Sequence, residues 1–214
     1  MDMNHGIYSG SVIDNRDPTG LARVLVRVPA LKETSNGVWA RLATLMAGRN
    51  SGTLFIPDVG DEVLVAFVQG DLRAPCVVGA MWSKTATPPA VADPPASVMQ
   101  IRSRNGVNLR IVDDEGSNSL IVETPGGQRM VLLDGPGTVR IEDGNGNSVT
   151  LSSSGVKVLA SSKVEVSAAM VEISAGLVTV HAGLTRFDGV VKCDTLISNV
   201  VVSATYTPGA GNVL

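Results

Sequence analysis

Apolar and polar residues alternate at period two over much of this chain, the pattern of half-buried β-strands. Leu21 to Val28 places Val24, Val26 and Val28 on one face and Arg23, Leu25 and Arg27 on the other. Gly37 to Leu42, Thr53 to Ile56, Asp61 to Val68 and Pro75 to Gly79 read as four further strands. Five short strands with polar turns predict a small closed barrel, because closure removes exposed strand edges.

The second half carries a shorter unit, apolar-x-apolar. Leu109-Arg-Ile111, Leu120-Ile-Val122, Met130-Val-Leu132, Val139-Arg-Ile141 and Val149-Thr-Leu151 follow one another at spacings near ten. Val156-Lys-Val158, Val164-Glu-Val166, Val171-Glu-Ile173 and Val178-Thr-Val180 then start 8, 7 and 7 residues apart. Each unit predicts one short strand. Val156, Val158, Val164, Val166, Val171, Ile173, Val178 and Val180 point inward, and Lys157, Glu165, Glu172 and Thr179 point outward.

Such a unit cannot bury its apolar face alone, whereas stacked neighbours bury a continuous core. A single-chain solenoid needs roughly 20 residues or more per coil. A unit of 7 or 8 residues supplies one strand and a corner, about a third of a triangular turn. Three chains around one axis supply the other two sides, so the pattern predicts a homotrimer. The shortening repeat predicts a needle that tapers toward the C-terminus. Wide corners use Gly with Asn or Asp, as in Asp143-Gly-Asn-Gly146, and narrow corners use Ser and Ala, as in Ser167-Ala-Ala169.

Between the two patterns lies Thr85-Ala-Thr-Pro-Pro-Ala-Val-Ala-Asp-Pro-Pro-Ala-Ser97. Two Pro-Pro pairs remove backbone donors and favour an extended, semi-rigid connector. The domains are therefore read as a barrel head over 1–84, a proline linker over 85–98 and a needle over 99–214.

Composition narrows the function. Aromatic residues are only 3% of the chain, too few for base-stacking platforms. The 17 basic and 20 acidic residues leave no electrostatic footprint for nucleic acid. Cys76 and Cys193 read as small buried hydrophobes, with no metal spacing or disulfide framework. No apolar run approaches the ~18 residues of a membrane span, and Met1 to Gly10 shows no signal-peptide pattern.

Particular residues carry a family resemblance. Gly20-Leu-Ala-Arg-Val-Leu-Val-Arg-Val-Pro29, Trp39-Ala-Arg41, Ile56-Pro-Asp-Val-Gly-Asp-Glu-Val-Leu-Val-Ala-Phe67 and Ala74-Pro-Cys-Val-Val-Gly79 form one such set. They resemble the oligonucleotide/oligosaccharide-binding (OB) fold of phage baseplate assembly protein V and of the valine-glycine repeat protein G of type VI secretion. Pro-x-Val-Gly-Asp-Glu-Val is the most specific part. The tail is similar to that family's intertwined triple-stranded β-helix, and Tyr206 to Leu214 is similar to the ends of its short members.

The resemblance implies an all-β homotrimer, an OB-fold barrel followed by a β-helical needle, with no enzymatic activity and no cofactor. It implies a spike at the tip of a contractile tail or injection machine. The head docks a baseplate hub protein, and the needle transiently pierces the target cell envelope. Assembly takes place in the cytoplasm, into a virion or phage-tail-like particle. Some members insert a lysozyme domain between head and needle, but Met81 to Met99 holds only the linker. Others end in a His-x-His pair that binds iron, but His181 is followed by Ala182 and Gly183. The apolar Val213 and Leu214 suit contact with a tip-capping protein.

Other features read as structural. His181 sits at a corner and His5 near the terminus. Asp113-Asp-Glu115 and Asp143 to Asn147 are solvated turns with too few carboxylates for a calcium loop. Glu33, Asp58, Asp61 and Glu62 are acids without a cleft, and only two histidines exist for any triad. Trp39 and Trp82 serve barrel packing or an inter-subunit contact, and Arg23, Arg27 and Arg41 solvated strands or hub contacts. Two rivals remain: a trimeric tailspike-like carbohydrate-binding protein, and a nucleic-acid-binding barrel with a stalk.

Overall fold

A computed structural model describes residues 6–90 and 97–204. Contacts divide the chain into two compact units, Met1–Lys163 and Val164–Leu214. The first unit holds a barrel and a seven-stranded sheet, and the second shows no strand or helix over its described residues, 164–204.

The barrel strands are β1 (Ile7–Asp14), β2 (Val24–Arg27), β3 (Val38–Leu42), β6 (Glu62–Phe67) and β7 (Pro75–Met81). They close in the order β1-β2-β3-β7-β6, with β3 and β7 parallel and the other pairs antiparallel. Between β3 and β6 lies a small hairpin, β4 (Ala47–Gly48) and β5 (Ser51–Gly52). Alternation decides the core: Val24, Val26, Val28, Ala40, Val63 and Val65 are fully buried, and Val12, Phe67 and Val77 complete the cluster. Tyr8 packs edge-on against Phe67, with ring centroids 5.7 Å apart. Thr34 closes the barrel floor, its hydroxyl accepting from the Val28 amide at 2.9 Å and donating to backbone carbonyls of the same loop.

Two of the barrel expectations change. β1 is a strand that periodicity missed, because Ser9, Gly10 and Ser11 interrupt its apolar pattern. Gly10 is nevertheless central. A Cβ there would lie 2.9 Å from the Arg27 carbonyl oxygen and 3.3 Å from Val65 Cγ2, so only glycine lets β1 pass this close. Conversely, Thr53 to Ile56 is not a strand. It has no ladder partner, and Leu54 and Phe55 face solvent rather than the core.

The sheet comprises β8 (Val98–Arg102), β9 (Asn108–Val112), β10 (Ser119–Glu123), β11 (Arg129–Leu133), β12 (Thr138–Glu142), β13 (Ser148–Ser152) and β14 (Gly155–Leu159). Each strand pairs antiparallel with the next, so the sheet is a meander. The apolar-x-apolar units from Leu109 to Val158 lie inside β9 to β14. The ten-residue spacing is thus one strand plus one hairpin turn, with the chain reversing each time rather than winding onward.

From 160 to 204 no strand pairing occurs among the described residues. The backbone is extended and bends at Ala169, Gly176 and Gly183, then at Asp188 and Gly189, Asp194, Asn199 and Ala204. Corners seven residues apart therefore give way to corners five apart. The small or turn-forming residues at these corners match the requirement for tight direction changes.

Candidate functional site: assembly surfaces

The meander sheet has two unlike faces, and the register defines both. One row runs Met99, Ile111, Leu120, Leu132, Val139, Leu151, Val156, and a second runs Ile101, Leu109, Val122, Met130, Ile141, Val149, Val158. Fourteen apolar side chains thus share one face that the described residues leave open. Met99 and Ile101 are each 54% exposed, and Val156 is 70% exposed. An apolar patch of this extent marks an association surface.

The opposite face is mixed, with Gln100, Arg110, Arg140 and Lys157 beside Val112, Leu133 and Leu159, and it is sealed at its centre. Ile121 and Val131 are buried there between Arg110 and Arg140. A side-chain chain crosses the strands alongside them. Gln100 Nε2 donates to Asn108 Oδ1 at 2.6 Å, and Asn108 Nδ2 donates to Glu123 Oε1 at 2.9 Å. Arg129 lies between Glu123 and Glu142 at 3.9 and 3.5 Å, and Arg140 pairs with Glu142 at 2.6 Å. A one-residue slip would turn these charges onto the apolar face, so they fix register more than they add stability.

The expected needle-core residues fall in two places. Val156 and Val158 lie on β14, on the apolar face. Val164, Val166, Val171, Ile173, Val178 and Val180 lie on the extended segment, each between 57% and 71% exposed in the single chain. Each pair sits between corners, and all stay exposed among the described residues. Val213 and Leu214 lie outside the described residues, as do His5 and residues 91–96 of the linker.

The singled-out polar residues serve the backbone. In Pro57 to Val63, Gly60 adopts φ of 98°, its amide donates to the Val12 carbonyl at 2.8 Å, and the Val12 amide donates to the Asp61 carbonyl at 3.0 Å. The motif is a turn that laces β6 to β1. Asp61 accepts from the Asp58 amide at 2.8 Å, Glu62 accepts from the Ser9 hydroxyl at 2.6 Å, and Asp58 pairs with Arg104. Asp143 accepts from the amides of Asn145 and Asn147, each at 2.9 Å, and from the Asn147 side chain, which lowers its pKa to about 2. It caps a turn. Among the described residues no group of three or more His, Cys, Asp or Glu side chains gathers for a metal. Cys76 is half-buried and Cys193, expected to be buried, is exposed in the single chain; both are free thiols.

Asp17 organises the loop before β2, a role that composition did not reveal. Its carboxylate accepts from the amides of Thr19, Leu21 and Arg23 and from the Arg23 guanidinium at 2.9 Å. Arg23 in turn lies over the Trp39 ring, 5.5 Å from its centroid, so Trp39 is a packing surface. The Arg23 hydrogen bond, helped by the loop amides, holds the Asp17 carboxyl well below its ordinary 3.8. A depressed folded-state pKa contributes stability above the ordinary value and loses it as pH falls through the folded value. The midpoint of barrel unfolding should therefore drop as pH falls below 3.8. Asp17→Asn should lower that midpoint near neutral pH and flatten its acid dependence. Thermal unfolding followed by Trp39 fluorescence, in a background carrying Trp82→Phe, across acidic pH checks both.

Two family models match separate stretches of the chain. Residues 8–82 match the type VI secretion system/phage-baseplate injector OB domain, and residues 119–181 match the phage baseplate V C-terminal trimerisation domain. The fold these define is an all-β spike architecture: a closed OB barrel followed by a trimerisation domain that fits a β-helical region. The chain belongs to the family of phage baseplate V and VgrG-like spike proteins.

Among curated relatives, the type VI secretion system spike protein VgrG1b of Pseudomonas aeruginosa is 30% identical over 96 residues, 41% of this chain and 13% of its own length. The spike protein VgrG3 of Vibrio cholerae is 33% identical over 97 residues, 44% of this chain and 9% of its own length. The actin cross-linking toxin VgrG1 of Vibrio cholerae is 28% identical over 95 residues, 8% of its own length. The matched region is thus a small part of each of these much longer relatives.

Proposed function

We propose that this chain is the central spike of a contractile tail or injection-system baseplate, acting mechanically and without catalysis. The carrying observation is the open apolar face of the meander sheet, continued in sequence by an extended apolar segment with regular corners. Both need two further copies to be covered, and the family match includes a trimerisation domain. In this reading the head spans 1–84, the linker 85–98 and the needle 99–214. The barrel docks the hub, and Val156 to Val180 form the dry core of the shaft. Val213 and Leu214 meet a tip-capping protein. The particle forms in the cytoplasm, and the needle acts at the target envelope.

Corners that shorten from seven to five residues give narrower turns, so the shaft tapers toward its tip. A puncturing role requires a shaft that resists axial load. Interchain backbone hydrogen bonds and an interdigitated Val and Ile core supply that stiffness. Unwinding three wrapped chains is slow, so stability is kinetic. Light scattering of the purified chain should give the mass of three copies, near three times 22.1 kDa. An unboiled sample should stay trimeric in detergent gels. A stable monomer would overturn the reading.

A further inference from the structure

The segment joining β3 to β6 forms an arm whose apolar side chains are not used by its own barrel. β4 and β5 contribute only two residues each, and so short a two-stranded ribbon is not stable alone in water. The arm is held shut by the Thr53 amide donating to the Met46 carbonyl at 3.1 Å and by the Thr44 hydroxyl donating to the Thr53 carbonyl at 2.6 Å. Yet Leu45 is 95% exposed, Leu54 68% and Phe55 69%. With Leu21 and Val78 they line a groove of about 1160 Å³. From Ala43 to Ile56 the only charged residue is Arg49. The arm itself is thus depleted of charge, as interface cores are, while Arg23, Arg41 and Arg73 edge the groove, and Arg is enriched at interfaces.

We propose that a neighbouring copy of this chain covers the arm and its groove. The proposal rests on the trimeric reading above. Its support is continuity with the trimerisation surface. Arg104, on the turn between β8 and β9, pairs with Asp58 and donates to the Ile56 carbonyl at 2.6 Å, where the arm returns to the barrel. β8 and β9 begin the sheet whose apolar face is open. The arm is therefore clasped to the first hairpin of the sheet whose open face calls for further copies, so a copy seated on that face lies next to the arm's attachment point. The spike head is then a closed ring of barrels, not three heads on separate linkers.

Thiol labelling of the full chain tests this. In a background carrying Cys76→Ala and Cys193→Ser, Leu54→Cys is compared with Glu33→Cys at an exposed barrel site. Leu45→Cys serves as a second reporter, since a side chain so exposed in the single chain costs the barrel nothing. In purified material with a three-chain mass and no hub present, the arm thiols should react with a bulky maleimide at least about tenfold more slowly than the Glu33→Cys thiol. The rates should converge in denaturant. Equal rates in a confirmed trimer would overturn the proposal, including the case where protection appears only after baseplate proteins are added, which would assign the groove to the hub. A one-chain mass would instead sink the trimeric reading itself.

Discussion

Val166→Asp is expected to abolish the trimer. Val166 lies between the corners at Ser162 and Ala169, in an extended segment with no partner strand of its own. At 71% exposure in the single chain, the substitution costs a monomer nothing. Around a threefold axis it places three carboxylates in a core of Val and Ile. Burying even one unpaired charge costs several kcal/mol, and like charges this close add to the penalty. The expected product is a monomeric or aggregated chain with a still-folded barrel, read by light scattering and by Trp39 fluorescence. Glu165→Gln is the matched control, since the period-two pattern expects Glu165 on the outer face of the same unit, and the charge-removing change should leave the trimer mass unchanged. A trimer of ordinary thermal stability for Val166→Asp would remove Val166 from the shaft core.

The second large effect is expected in the barrel. Gly10→Val should destabilise the head by about 1–3 kcal/mol or more, the usual cost of overpacking a core. The added Cβ meets the Arg27 carbonyl oxygen at 2.9 Å and the methyl groups of Val65 and Val28 at 3.3 and 3.4 Å. The backbone oxygen cannot rotate away, so β1 must separate from β2. The loss should appear as a lower denaturant midpoint for Trp39 fluorescence, while the needle, stabilised by other contacts, keeps the chains associated. Gly60→Ala makes a useful contrast. Nothing crowds its Cβ, and any cost there comes from the φ of 98° alone.

The sequence by itself determined the strands wherever both faces had a consistent character. Val24, Val26 and Val28 alternate with Arg23, Leu25 and Arg27, and all three valines are fully buried in the barrel. The units from Leu109-Arg-Ile111 to Val156-Lys-Val158 fell inside β9 to β14 for the same reason: a period of two survives any choice of partner strand. The need for companion chains was also legible, because a seven-residue unit is too short to close a core.

Tertiary structure alone decided the partners. β1 was hidden because one of its two buried positions is Gly10, which has no side chain to register in a hydrophobic pattern. Its place in the barrel follows from how near β2 and β6 approach. Thr53 to Ile56 has a strand's composition but no ladder to join, and its apolar side chains instead form the exposed wall of a groove. The ten-residue and seven-residue repeats look like one series in sequence. They differ in space because Gly-rich corners reverse the chain into hairpins, while single Ala or Gly bends only turn it. Periodicity reports which face a residue occupies. It does not report what that face meets, since hydrogen-bond partners are chosen by three-dimensional proximity.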